Sequence, residues 1–105
     1  MTPNVCADRV DAGVPIRVLV VDDEPLGRLR VRDLLRDEKG IEVVGEAADG
    51  GEAIEAIRVL KPDLVFLDVQ MSGKSGLDVV REIGADAMPL TIFITAFDTY
   101  ALQAF

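Results

Sequence analysis

The stretch Ile16-Arg17-Val18-Leu19-Val20-Val21-Asp22-Asp23-Glu24 decides the fold of this protein. Residues 16–21 are mostly apolar and rich in β-branched side chains, and the run ends abruptly at consecutive acids. A continuous apolar run of this kind is typical of a strand that is covered on both faces, as in a parallel sheet. Pro25 follows at a place that suits the first turn of a helix, where its missing N–H is no loss.

The same unit recurs along the chain. The partly alternating segment at 41–45 and the apolar runs at 64–67 and 90–94 predict strands two, three and four. The third strand ends at Asp68 and the fourth at Thr95. Strands that alternate with helices form βαβ units with right-handed crossovers. The fold class that we predict is therefore α/β, with a doubly wound parallel sheet.

Helical patterns fill the intervals between these strands. Pro25 begins the first helix and Gly40 marks its end, Asp49 followed by Glu52 resembles a capping box, and residues 98–105 begin a fourth helix. We expect the following apolar positions to line the first three helices: Leu26, Leu29, Leu34 and Leu35; Ile54, Ile57 and Leu60; Leu77, Val80 and Ile83.

Composition excludes several classes of function. The 105 residues carry 11 Lys and Arg against 19 Asp and Glu, a net charge of -8 that repels nucleic-acid phosphates. We therefore expect no direct nucleic-acid contact by this domain.

No apolar run approaches the roughly 20 residues of a membrane span. A lone cysteine, Cys6, forms no internal disulfide, which favours a cytoplasmic location. Residues 1–15 lack apolar periodicity and are expected to be a flexible leader to a domain at 16–105.

Acidic and hydroxyl side chains follow the predicted strands, where parallel strands bring their carboxyl ends to one edge of the sheet. Asp22 and Asp23 end the first strand, Asp68 ends the third and Thr95 the fourth. Clustered like charges oppose ionisation, and Mg²⁺, which prefers oxygen ligands, relieves that repulsion. The absence of histidine disfavours zinc.

The same residues could perform phosphoryl transfer. Asp68 suits a phosphoryl-accepting nucleophile, and the adjacent Asp22 and Asp23 suit cation binding. Thr95 could donate a hydrogen bond to the phosphoryl group. An acidic pair before a proline could also serve only the N-terminus of a helix.

Three segments, residues 18–25, 62–71 and 92–96, resemble the receiver domain of bacterial two-component response regulators. That resemblance implies a flavodoxin-like sheet of order 2-1-3-4 and phosphoryl transfer from a sensor histidine kinase to Asp68. It also implies Mg²⁺ ligation by Asp23, Asp68 and the Gln70 backbone carbonyl, with Asp22 acting largely through water. Thr95 would be the switch hydroxyl, and Gly76 matches the glycine that closes the loop after the phosphorylation site. Residues 95–105 resemble receivers of the LytR/AlgR type, whose output module binds DNA.

Two departures from the family pattern leave alternatives open. Ser72 stands where the family usually has proline, a change that we expect to loosen the loop and to leave the chemistry intact. The usual fifth strand, fifth helix and phosphoryl-contacting lysine are missing before Phe105. An exposed fourth strand would recruit another strand, so we expect a homodimer or a swapped oligomer. The alternative function is thus a truncated or degenerate receiver that acts as a phosphorylation-independent interaction or dimerisation module. A phosphatase of the haloacid dehalogenase type is disfavoured, because it needs an acid where Gln70 stands.

Overall fold

The structure, a computed structural model, describes residues 14–94. Thr95, the predicted helix at 98–105 and most of the predicted leader lie outside these residues. Strands and helices alternate throughout the described part, as the sequence predicts. They are β1 (Ile16–Val21), α1 (Pro25–Arg36), β2 (Ile41–Ala47), α2 (Gly50–Leu60), β3 (Leu64–Asp68), α3 (Gly76–Ile83) and β4 (Leu90–Ile94).

The sheet has the predicted strand order, β2-β1-β3-β4, and all three strand pairs are parallel. Val18 of β1 lies opposite Leu64 of β3, which in turn lies opposite Leu90 of β4. The two central strands, β1 and β3, therefore finish at the same edge of the sheet. This register brings the acids that follow β1 beside the acid that ends β3.

The main hydrophobic core lies between the sheet and the helices α2 and α3. Leu19 of β1 and Leu67 of β3 are fully buried there and pack in one cluster with Ile54 and Ile57 of α2 and Val79 of α3. Burial of a leucine side chain contributes about 1.5–3 kcal/mol. This core fixes the two central strands, and hence their acidic ends, relative to each other.

Local hydrogen bonds begin α2 and α3. The Asp49 side chain accepts a 2.8 Å bond from the N–H of Glu52, and the Glu52 carboxylate accepts a 2.8 Å bond from the N–H of Ala48. This arrangement confirms the predicted start of α2. A full capping box between Ser75 and Asp78 begins α3. Both caps satisfy backbone N–H groups that a helix leaves unpaired at its first turn.

Three details of the sequence prediction are wrong. β2 continues beyond residue 45 to Ala47, because its last residues still pair with the end of β1. The leucine stripe of α1 is largely exposed, and α1 has no fully buried residue. In α3 the buried side chain is Val79, whereas Leu77 is exposed. Helical spacing predicts a face but does not decide how a helix is rotated about its axis against the sheet.

Within the described residues, no helix has the length and apolar character that a membrane crossing requires.

Candidate functional site

Three carboxylates converge at the carboxyl edge of the sheet. Asp22 and Asp23 follow β1 and Asp68 ends β3, and one oxygen from each lies within 4.8 Å of the others. Asp22 and Asp68 are 7% and 5% exposed, so two of the three charges are almost removed from solvent. The structure thus brings together the three acids that the sequence predicts as the site.

Each carboxylate of this acidic cluster (Asp22, Asp23 and Asp68) accepts a hydrogen bond from a backbone N–H. Glu24 donates to Asp22 Oδ1 at 2.9 Å and Gln70 donates to Asp68 Oδ1 at 3.0 Å, each from two residues further along the chain. Ser72 donates to Asp23 Oδ2 at 3.2 Å from a loop that is distant in sequence. These donors orient the carboxylates and offset part of their mutual repulsion.

Burial raises the pKa of Asp68 from 3.8 to about 6. The Gln70 N–H acts in the opposite direction by stabilising the carboxylate, and the nearby charges of Asp22 and Asp23 raise the pKa further. The ionised form of Asp68 is therefore less stable in the folded protein than in water, as the sequence predicts for clustered acids. A cation or a proton relieves that disadvantage.

An ion-paired arginine of α1 donates a hydrogen bond to the backbone just after β1. Arg28 of α1 donates from Nη1 to the backbone oxygen of Asp22 at 2.7 Å and from Nε to Glu46 at 3.1 Å. Arg32 donates to the other oxygen of Glu46. The first helix is thereby tied to the ends of β1 and β2, which holds the backbone of the acidic pair in place. The sequence alone does not reveal this role of Arg28, because residues 28 and 46 meet only when β1 and β2 pair in the folded sheet.

The loop between β3 and α3 closes tightly on the site. The Gly76 N–H donates to the carbonyl of Val69 at 3.0 Å, and Met71 is buried in the core cluster. Lys74 of this loop pairs with Glu82 of α3.

The donor set of the cluster fits a hard divalent cation. All three ligand candidates are carboxylates, two are buried, and their oxygens lie close enough to share one ion. Mg²⁺ is bound in proteins by one or two carboxylates completed by waters and phosphate oxygens. The Gln70 carbonyl remains a predicted ligand, and Thr95 lies outside the described residues.

The sheet order, the acidic cluster and the loop that closes on it define the class of protein. The family model of the response regulator receiver domain matches residues 18–105, and the chain belongs to that family. Receiver domains of response regulators partner with histidine kinases and usually bind Mg²⁺ at an acidic cluster.

The relatives of this chain include transcriptional regulators. The transcriptional regulatory protein BtsR of Salmonella typhi is 50% identical over 90 residues, which are 86% of this chain and 38% of BtsR. BtsR of Escherichia coli K12 is 47% identical over the same coverage. The chain thus spans about two fifths of the length of these relatives.

Solved structures share the fold. The response regulator domain of Thermotoga maritima CheB superposes with a TM-score of 0.72 at 32% identity, covering 86% of this chain and 69% of that chain. A chain in the CheX–CheY–BeF3–Mg²⁺ complex of Borrelia burgdorferi gives 0.72 at 27% identity, covering 88% and 70%. These likenesses confirm the predicted flavodoxin-like receiver fold.

Proposed function

We propose that this chain is a Mg²⁺-dependent phosphoacceptor that takes a phosphoryl group from a sensor histidine kinase onto Asp68. The observation that carries the proposal is the buried Asp68 carboxylate, whose oxygen lies within 4.8 Å of ligand oxygens from Asp22 and Asp23. Asp22, Asp23, Asp68 and the Gln70 backbone carbonyl would hold Mg²⁺. A bound Mg²⁺ would neutralise charge on the phosphoryl oxygens during transfer.

The proposed chemistry at Asp68 is a nucleophilic substitution at phosphorus. One Asp68 oxygen forms the new O–P bond while the N–P bond of the donor phosphohistidine breaks, and the imidazole nitrogen keeps the electron pair. The Gln70 N–H, 3.0 Å from Oδ1, fixes the rotation of the carboxylate. Thr95 would donate its hydroxyl to the phosphoryl group and act as the switch residue.

Membership of the receiver family supports this proposal, and so does one of the similar structures. The CheX–CheY complex from Borrelia burgdorferi contains Mg²⁺ and BeF3. Beryllium trifluoride is a mimic of the phosphoryl group. For this chain the same pair of ligands would meet at the acidic cluster. Because the relatives are transcriptional regulators, we propose that phosphorylation of a cytoplasmic domain at 16–105 switches a transcriptional output, as in LytR/AlgR-type regulators.

Incubation with acetyl phosphate tests the proposal without the kinase. We expect the chain to gain one phosphoryl group in the presence of Mg²⁺ and none in the presence of EDTA, as measured by intact-protein mass spectrometry. Asp68→Asn should abolish the gain. Asp86→Asn is the matched control, because it makes the same chemical change at an exposed acid between α3 and β4 and should leave phosphorylation intact. Incorporation that persists in the Asp68 variant would contradict the proposal.

The exposed surface of β4 favours a second candidate function, the interaction module. Leu90 is 72% exposed, Ile92 and Phe93 are also exposed, and within residues 14–94 β4 pairs with β3 alone. Exposed apolar side chains on a strand with an open edge favour pairing with a second copy, as a homodimer or by swapping. Light scattering distinguishes the two functions. A dimer that forms equally with and without acetyl phosphate favours the interaction module, and a phosphorylation-dependent change favours the switch.

A further inference from the structure

Ser72 supplies a hydrogen bond to the acidic cluster that depends on the type of residue at its position. Its backbone N–H donates to Asp23 Oδ2 at 3.2 Å, across a separation of 49 residues. Proline, which the family pattern favours at this position, has no N–H and could not make this bond. The substitution that departs from the family pattern therefore adds a donor beside one of the proposed Mg²⁺ ligands.

The three backbone N–H groups that donate to the cluster differ in how far along the chain they lie from their acceptors. The N–H groups of Glu24 and Gln70 each bond the carboxylate two residues before them, which is a local turn. The bond to Asp23 instead comes from a different segment of the chain and exists only while the loop after β3 is folded over the site. Among the described residues, Asp23 is thus the one acid of the cluster that accepts a backbone hydrogen bond from a segment distant in sequence.

The loop that carries Ser72 is well anchored. Met71, the preceding residue, is buried in the core, and the Ser75 cap begins α3 three residues further on. An anchored donor restricts the rotation of the Asp23 carboxylate before any cation arrives. Because Mg²⁺ demands near-octahedral geometry at short distances, restricting a ligand in advance lowers the entropy lost on binding.

We infer that Ser72 is a positioning residue of the cation site, whose backbone N–H holds Asp23 in its ligating orientation and thereby strengthens Mg²⁺ binding. The inference rests on the proposed function, since it takes Asp23 to be a ligand. Hydrogen-bond partners of metal ligands change metal affinity by about 10–100-fold. Since Ser72 is exposed, we expect an effect of about three- to tenfold.

Calorimetric titration of the whole chain with MgCl2 tests this inference with a matched pair of variants. Ser72→Pro removes the N–H, and Ser72→Ala keeps the N–H while it removes the hydroxyl. We expect Ser72→Ala to bind Mg²⁺ as tightly as the wild type and Ser72→Pro to bind about three- to tenfold more weakly. Equal affinity in all three proteins would overturn the inference and leave the proposed function standing. A wild-type chain that binds no Mg²⁺ would overturn both.

A second measurement does not depend on whether the proline variant folds. In the metal-free wild type, the Ser72 amide should exchange its proton with solvent more slowly than in Asp23→Ala, which lacks the acceptor. The Gln70 amide, whose acceptor is Asp68, is the internal control and should keep its exchange rate in that variant. A Ser72 exchange rate that is the same in both proteins would overturn the inference.

Discussion

A Cβ atom on Gly76 would lie 2.4 Å from the backbone oxygen of Asp68. The first residue of α3 therefore packs directly against the end of β3, with no room for a side chain. The contact is with backbone, which cannot move aside as a flexible side chain could. Because Asp68 is the proposed phosphoacceptor, this close approach couples the position of the helix to the position of the nucleophile.

We predict that Gly76→Ala lowers the free energy of unfolding by about 1–3 kcal/mol, since it overpacks this contact. It should also slow phosphorylation by acetyl phosphate, because relief of the clash displaces Asp68. Gly51→Ala is the control. A Cβ there meets only the Asp49 side chain at 3.4 Å, so alanine should be neutral or slightly stabilising in α2. Urea denaturation of both variants gives the comparison, and equal stability of the two would contradict the argument.

The raised pKa of Asp68 predicts a dependence of stability on pH in the absence of metal. Its pKa is 3.8 in the unfolded chain and about 6 in the folded protein, so the folded state binds the proton more tightly. Well below pH 3.8 both states are protonated and Asp68 does not destabilise the fold. As the pH rises from about 4 to 6, ionisation of Asp68 destabilises the folded state increasingly, and this effect is complete above about pH 6.

The difference in unfolding free energy between the wild type and Asp68→Asn isolates this effect. We expect the asparagine variant to become progressively more stable than the wild type, relative to their difference at pH 4, as the pH rises to 7. Mg²⁺ should reduce the difference by stabilising the wild type. A difference that does not change between pH 4 and 7 in EDTA would contradict the raised pKa.

The capping box of α3 predicts a separate effect on stability. Ser75→Ala removes the hydroxyl that accepts from the Asp78 N–H at 3.2 Å, which should lower the unfolding free energy by about 1 kcal/mol. Ser72→Ala, in the same loop, should change it by less than about 0.5 kcal/mol, because the Ser72 hydroxyl makes no hydrogen bond within residues 14–94. Chemical denaturation that shows equal losses in both variants would count against the cap.

Truncation of leucines tests which apolar side chains build the core. Leu67 is fully buried between the sheet and α2, whereas Leu34 of α1 is 71% exposed. We expect Leu67→Ala to lower the unfolding free energy by about 2–5 kcal/mol and Leu34→Ala by less than about 0.5 kcal/mol. A large loss for Leu34→Ala would show that α1 is covered by another surface in solution.

Much of the fold and the acidic cluster could be predicted from the sequence, because both follow from local patterns. The apolar run before Asp22 and the run before Asp68 predict buried parallel strands, and parallel strands end at one edge. The cap formed by Asp49 and Glu52 involves neighbours in sequence, so its pattern is also visible before folding.

The remaining features depend on contacts between distant residues. Val79 is buried and Leu77 is exposed, and apolar spacing alone does not determine which side of α3 faces the sheet. The bond from Ser72 to Asp23 and the brace from Arg28 to Glu46 join segments that meet only in the folded sheet. The sequence shows that residue 72 is serine and not proline, but it does not show that Asp23 accepts the hydrogen bond from the Ser72 N–H.

The most direct test of the central claim is to locate the phosphoryl group chemically. After incubation with acetyl phosphate and Mg²⁺, borohydride reduces an acyl phosphate to the alcohol and so marks the modified aspartate. We predict that peptide mass spectrometry finds homoserine at position 68, and only in samples that contained Mg²⁺. Homoserine at another acid of the cluster, or no reduction product at all, would contradict the claim that Asp68 is the phosphoacceptor.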